Sequence, residues 1–270
     1  MYSLSDPSKL SYLNLGCGSR YDDRWYNLDF VGIEGHVIGY NLLTGIPFPD
    51  ESFDVVYHSH VLEHFSKKQG IELIKECYRV LKKGGVLRIA VPDIERSVRE
   101  YLKNLDGALN GDKQAQQNYD WNIIELLDQL SRHQVGGYMI EYLKAAGKEN
   151  QEYIKQRIGS EAQIIWKEND NIPATPASQG LKGKIKNYLK KKDFFRFYSL
   201  GKYRLGGEIH QWMYDRYSLR NLLSSCGFVE PHQTDGVTSS IQSWQQYQLD
   251  TDANGQLRKP DSLFMEAKKI

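Results

Sequence analysis

The stretch that most constrains this chain is Tyr12-Leu13-Asn14-Leu15-Gly16-Cys17-Gly18. A short β-prone apolar run that stops on Gly-x-Gly ends a strand in a tight turn. Without Cβ atoms in the way, main-chain N–H groups there can approach a ligand. In an open α/β sheet, ligands lie outside the carboxyl end of such a strand. Alone, the pattern is an ordinary turn, but the next blocks of the chain repeat the theme. Tyr26-Asn27-Leu28-Asp29 reads as a second short strand ending in an acid. Residues 53–59 form a near-continuous apolar run, as in a strand buried on both faces. Ser66 with Gln69 fits a capping box, and Ile71, Ile74, Tyr78 and Leu81 share one helical stripe. Lys82 and Lys83 suit the negative end of that helix, and Gly84-Gly85 is expected to stop it. Residues 86–91 then form a strand that Pro92 ends.

Strands alternating with helices imply a parallel sheet. A full crossover between parallel strands needs about a dozen residues. The gap from Gly18 to Asp29 therefore leaves a turn or two of helix around 21–25. Residues 35–39 are a candidate third strand. Residues 217–226 read as a helix stopped by Gly227, with Phe228-Val229 opening a strand and 262–267 forming the last one.

Between these blocks, 93–207 departs from the pattern. Helices are expected at 94–105, 138–146 and 149–158, and at 121–132, where Ile123, Leu126, Leu127 and Leu130 recur at helical spacing. Residues 172–180 read as a loop. A basic stretch comes next, with Lys182, Lys184, Lys186, Lys190, Lys191, Lys192 and Arg196 among Tyr188, Phe194, Phe195, Phe197 and Tyr198. It reads either as a solvated linker or as an anchor for an anionic surface spanning 182–204.

At 270 residues, 40% of them hydrophobic, the chain can bury one large domain with an insertion. A net charge of +1 provides no global field for nucleic acid. Cys17, Cys77 and Cys226 are too few and scattered for a disulfide framework or a zinc knuckle. No apolar run approaches the ~20 residues of a bilayer span, and no signal peptide is read at the start. A cytoplasmic protein, with peripheral membrane contact through 182–204 as a variant, is the expectation; the oligomeric state is left open.

The ordered blocks 12–29, 46–64 and 76–93, returning at 210–229, resemble the class I S-adenosylmethionine-dependent methyltransferases, in particular the branch called methyltransferase type 11. The resemblance implies a Rossmann-like α/β fold with a mainly parallel seven-stranded sheet, an antiparallel last strand and a helical insertion. It implies that 1–92 and 208–270 bind S-adenosyl-L-methionine and that 93–207 forms a substrate cap over the carboxyl edge. Cofactor contacts are carried over to Asn14, Gly16, Cys17, Gly18, Asp29, Asn41, Leu42, Ser59 and His60. The physical reading agrees for Asp29, because a strand-end acid can accept hydrogen bonds from ribose hydroxyls. Asn41 can offer its carbonyl oxygen to an adenine amino group, or can be a simple turn residue.

Glu63, His64 and His210 are the candidates for catalysis. Glu63 or His64 can serve as general base, or can cap and pack a helix. His58-x-His60 also admits a metal site, but Glu63-His64 lacks a ligand spacing, so no metal is assigned. Asp93 reads best as a helix N-cap. The expected reaction is methyl transfer to the oxygen of a sugar, glycan precursor or other small molecule. The rivals are an inactive cofactor-binding scaffold, a nucleic-acid methyltransferase and an NAD enzyme. The last lacks the third glycine of its fingerprint, because Tyr21 stands there.

Overall fold

The computed structural model describes residues 11–145, 148–160, 162, 163, 166 and 193–270. The 172–180 loop and the lysines from Lys182 to Lys192 lie outside the described residues. The described residues divide into two compact units, one within Met1–Glu100, Arg157–Gly159 and Gln211–Ile270, the other within Tyr101–Gln156 and Ser160–His210.

The first unit is built on a seven-stranded sheet. Its strands are β1 (Tyr12–Leu15), β2 (Tyr26–Asp29), β3 (Ile38–Gly39), β4 (Phe53–Ser59), β5 (Leu81–Pro92), β6 (Val229–Thr234) and β7 (Ser262–Lys268), in the order β3-β2-β1-β4-β5-β7-β6. β1 to β5 pair in parallel, and β7 runs antiparallel to both β5 and β6. The chain leaves β1 toward β2 and β3, then returns to place β4 on the other side of β1. The order therefore reverses between β1 and β4, which puts the ligand crevice of such a sheet at their carboxyl ends.

The two faces of the sheet are covered differently. Leu13, Leu15, Val56, Leu87 and Ile89 pack under α1 (Lys67–Val80) and α7 (Arg216–Ser225), through Leu73, Ile74, Cys77, Leu219 and Leu223. The Ser66–Gln69 capping box starts α1 as expected. On the opposite face, Tyr12, Val55 and Tyr57 meet Trp25, Ile241, Trp244 and Leu249. No helix lies between β1 and β2. Two reverse turns replace the expected helical turn: the Arg20 amide donates to Cys17 O (2.8 Å) and the Trp25 amide to Asp22 O (2.9 Å). The connection between β6 and β7, with its 3-10 turn Trp244–Tyr247, fills the space instead, setting Tyr247 edge-to-face with Trp25 and Trp244 with Tyr57, each pair with ring centroids 5.1 Å apart.

The end of α1 differs from the sequence reading. The helix stops at Val80, and Leu81 is already extended and paired with Phe53. Lys82 reaches the Asp54 carboxylate (2.8 Å), so its charge serves that partner and not the helix end. Gly84 and Gly85 lie within β5 and pair with Lys269.

The second unit is helical: the end of α2 (Ile94–Leu109), α3 (Lys113–Ser131), α4 (Gly137–Ala145), α5 (Lys148–Ile158) and α6 (Asp193–Arg204). α3 does not bury the expected apolar stripe. Its buried face is Trp121, Asn122, Glu125 and Asp128, and Leu127 is exposed. The polar members of that face have internal work. Asn122 accepts from Asn104 (2.8 Å), and Asp128 accepts the Tyr138 amide at the start of α4 (2.8 Å).

Candidate functional site

The glycine turn leaves β1 with Gly16 at φ +60° and Gly18 at φ +52°, a region that disfavours side chains. A Cβ on Gly16 would collide with the Val61 side chain, whereas one on Gly18 would point into open space. The Gly18 amide donates to Asp29 Oδ2 (2.7 Å), tying the turn to the end of β2. The other carboxylate oxygen accepts the Val31 amide (3.3 Å).

Asn14 lies beneath this turn. It is buried, and its amide donates to Arg20 O (3.1 Å) and Asn27 Oδ1 (3.3 Å). Asn27 in turn donates to Asp22 O (2.9 Å) and Trp25 O (3.0 Å). These two side chains supply the order that a crossover helix would otherwise give. Cys17 is also buried, and its amide donates to Leu28 O (3.2 Å). Burial, helped by the Asp29 charge, pushes its thiol up to about 12, so it stays protonated.

Asn41 caps the short 3-10 turn Leu42–Thr44, accepting the Leu43 amide at its side-chain oxygen (3.0 Å). Leu42 is half-buried there. The sequence reading missed the apolar pair that follows Asp29. Phe30 and Val31 are both exposed, as is Leu43. The pair's signal was its place directly after a strand-end acid.

At the end of β4, Ser59 is half-buried and His60 takes φ +55°, unusual for a residue with a side chain. His60 Nε2 lies 2.7 Å from Ser262 Oγ, and Nδ1 lies 3.2 Å from Glu63 Oε1. Glu63 is fully buried on the 3-10 turn Leu62–His64. Its carbonyl accepts the Gln211 (2.7 Å) and Trp212 (3.2 Å) amides, and the His64 carbonyl accepts from the Gln211 side chain (2.9 Å). Thus Ser59, His60, Glu63 and His64 share the carboxyl edge of β4 in the first unit. His210 is buried in the second unit, where its amide donates to Gln129 O (3.0 Å).

Two further buried groups belong to this edge. Both His58 ring nitrogens lack a hydrogen-bond partner, and burial lowers its pKa to about 4 against the opposing pull of Glu63. The Tyr214 hydroxyl also has no hydrogen-bond partner, and burial, then the Glu63 charge, raises it to about 12. Asp93 accepts the Arg96 amide (3.2 Å) as an N-cap of α2. Ser262 was not read from the sequence. Its signal lay in the topology: an antiparallel last strand brings its first residue to the edge where the parallel strands end.

Comparison with known proteins finds a local similarity. Residues 40–89 match the model of a methyltransferase domain, Methyltransf_11. The chain is 46% identical over 59 residues to "Probable tRNA methyltransferase 9B" of Homo sapiens, covering 22% of this chain and 13% of that protein. It is 39% identical over 51 residues to a "Probable S-adenosylmethionine-dependent methyltransferase" of Mycolicibacterium smegmatis, covering 19% of each. The chain therefore matches less than a fifth of the length of either relative. A solved S-adenosylmethionine-dependent methyltransferase from Archaeoglobus fulgidus aligns over 97% of this chain and 87% of its own, at 12% identity and TM-score 0.39. The matched segment runs from the end of β3 through β4 and α1 into β5, the part of the sheet that carries the His60 and Glu63 edge. That segment is similar to the type 11 methyltransferase domain, and the strand order around it is the one the sequence resemblance implies.

Proposed function

We propose that the chain binds S-adenosylmethionine at the carboxyl ends of β1 and β2 and transfers its methyl group to a hydroxyl of a sugar, glycan precursor or other small molecule. The observation that carries the first half is the pairing of the Gly18 amide with Asp29 where β1 and β2 end, beside open space above Gly18. That arrangement fits the cofactor. Asp29 would hold the ribose hydroxyls, and the turn amides would face the methionine part. Phe30, Leu42 and Leu43 offer apolar surface for the adenine, with Asn41 at its edge. When bound, the cofactor supplies an electrophilic methyl on a sulfonium sulfur. The protein's share is to hold the acceptor in line with that methyl and to accept its proton.

The acceptor class rests on analogy with the branch, and the helical unit is proposed to select it. The test is incubation with methyl-deuterated S-adenosylmethionine and separated glycan, small-molecule and tRNA fractions, read by mass spectrometry. Label in a glycan or small molecule supports the proposal, and label in tRNA alone moves the acceptor to nucleic acid. No label from a protein that still binds the cofactor favours a scaffold.

Residues 182–204 are proposed to anchor the protein to an anionic surface. Among the described residues no helix is long and apolar enough to cross a membrane. Each lysine or arginine near such a surface contributes on the order of 1 kcal/mol, a term that salt screens.

A further inference from the structure

Glu63, His60 and Ser262 stand in line at the carboxyl edge of the sheet. β7 runs antiparallel to β5, so Ser262 opens β7 opposite Pro92, where β5 ends. His60 follows the last residue of β4 and is held in its left-handed conformation by its amide, which donates to Ala90 O (2.9 Å). A backbone of that kind is kept where the surroundings over-determine it, which is common at functional edges. The conformation presents the imidazole between two partners, Ser262 Oγ in a 2.7 Å hydrogen bond with Nε2 and Glu63 Oε1 in an ion-pair contact 3.2 Å from Nδ1, without hydrogen-bond geometry.

The polarity of this line follows from its acid end. A carboxylate beside Nδ1 favours the tautomer with the proton on Nδ1. In that tautomer Nε2 presents its lone pair and accepts from the Ser262 hydroxyl. Ser262 Oγ keeps its own lone pairs for a further donor. The surrounding charges reinforce the arrangement. Glu63 lies on one side of the imidazole, and the buried Asp250 carboxylate also interacts with its charge. His58 and the Tyr214 hydroxyl are also coupled to Glu63, and a His64 ring nitrogen lies within 4.8 Å of its carboxylate. Burial lowers the pKa of His58 and raises that of Tyr214, so both are held neutral near neutral pH.

We propose that Ser262, His60 and Glu63 form a proton relay that receives the proton of the methyl acceptor, with Ser262 touching the acceptor and Glu63 as the positioning residue. The inference rests on the methyltransferase reading above. It sharpens that reading to an acceptor that carries a neutral O–H group. In the step, the acceptor oxygen forms the new C–O bond and the S–CH3 bond breaks with its electron pair going to sulfur. The acceptor proton passes to Ser262 Oγ as the Ser262 proton passes to His60 Nε2. The resulting imidazolium is stabilised by Glu63.

The relay can be tested without the true acceptor. The probe is diisopropyl fluorophosphate on the full chain, read by intact mass and peptide mapping. Ser262 Oγ attacks phosphorus, the P–F bond breaks, fluoride leaves, and the serine proton goes to His60. The relay predicts one adduct, on Ser262. His60→Asn, chosen because asparagine tolerates positive φ, should slow labelling at least tenfold. Glu63→Gln should slow it about tenfold, and Ser262→Ala should abolish it. Circular dichroism checks that each variant folds, and the His60 and Ser262 variants carry the test if the buried Glu63→Gln does not. Absence of a Ser262 adduct, or an unchanged rate in His60→Asn, overturns the relay. Calorimetry with S-adenosylhomocysteine on the same samples separates the two readings. Binding without the adduct overturns the relay alone. An adduct without binding overturns the methyl-transfer reading and, with it, the role assigned to the relay.

Discussion

Arg88 and His58 are both fully buried on neighbouring central strands of one sheet, yet their surroundings are opposite. Arg88 Nε and Nη2 donate to Asp250 Oδ2 (3.0 and 2.8 Å), and Nη1 donates to Glu266 Oε1 (2.7 Å). The Asp235 and Thr238 carbonyls accept as well (2.7 and 3.1 Å). Tyr57 donates to Asp250 (2.6 Å), and the guanidinium lies 4.3 Å from the Trp244 ring centroid. The cluster ties the chain between β6 and β7 onto the face that has no β1–β2 helix. His58, on the other face, has no hydrogen bond at either nitrogen. Each unsatisfied buried polar group costs about 1–3 kcal/mol. The satisfied cluster is a fastening for the fold. The unsatisfied group lies two residues before His60, near the carboxyl edge of β4.

If this contrast is right, Arg88→Met gives the largest effect. It strands two buried carboxylates and should cost about 3–5 kcal/mol in urea unfolding. A loss below about 1 kcal/mol would mean that the cluster is not the fastening described.

Acid should act next, through His58. Its folded pKa of about 4 lies below the ~6.5 of an unfolded histidine, so between these values the unfolded chain binds the extra proton. Stability should therefore be lost as pH falls from about 6.5 to about 4, by roughly 3 kcal/mol from this group. His58→Leu should remove that part of the acid slope. At pH 7 it should also raise stability by about 1–3 kcal/mol, because two unpartnered nitrogens leave the core. An unchanged slope would show that His58 finds partners in solution.

Tyr214→Phe gives the smallest effect. Deleting a hydroxyl without a hydrogen-bond partner should stabilise the fold by no more than about 1 kcal/mol in the same urea titration. A clear destabilisation would place a bonded group on that oxygen.

The legible parts of this molecule are those whose signal is local. Phe53–Ser59 is a strand in the structure with the bounds its apolar run implies, and Ser66 with Gln69 caps α1 as read. Leu81 misled because it continues the helical stripe and is followed by two lysines and two glycines, the usual dress of a helix end. Its pairing with Phe53 is a long-range fact that no local pattern carries. The cover of the second face was illegible for the same reason. Trp244 and Tyr247 sit in a glutamine-rich segment without periodicity, and a buried arginine on a strand has no sequence mark of its own. At the edge, the glycine turn and Asp29 were readable from spacing. Ser262 needed the antiparallel course of β7 to bring it within reach of His60.

The most direct test of the account is calorimetric titration of S-adenosylhomocysteine into the parent protein and into Asp29→Ala, side by side, with NAD as control. Each hydrogen bond to a charged acceptor contributes about 1.5–3 kcal/mol. The account predicts binding to the parent, no heat with NAD, and affinity reduced by roughly 10- to 150-fold in Asp29→Ala. A parent that does not bind, or a variant that binds as the parent does, would contradict it.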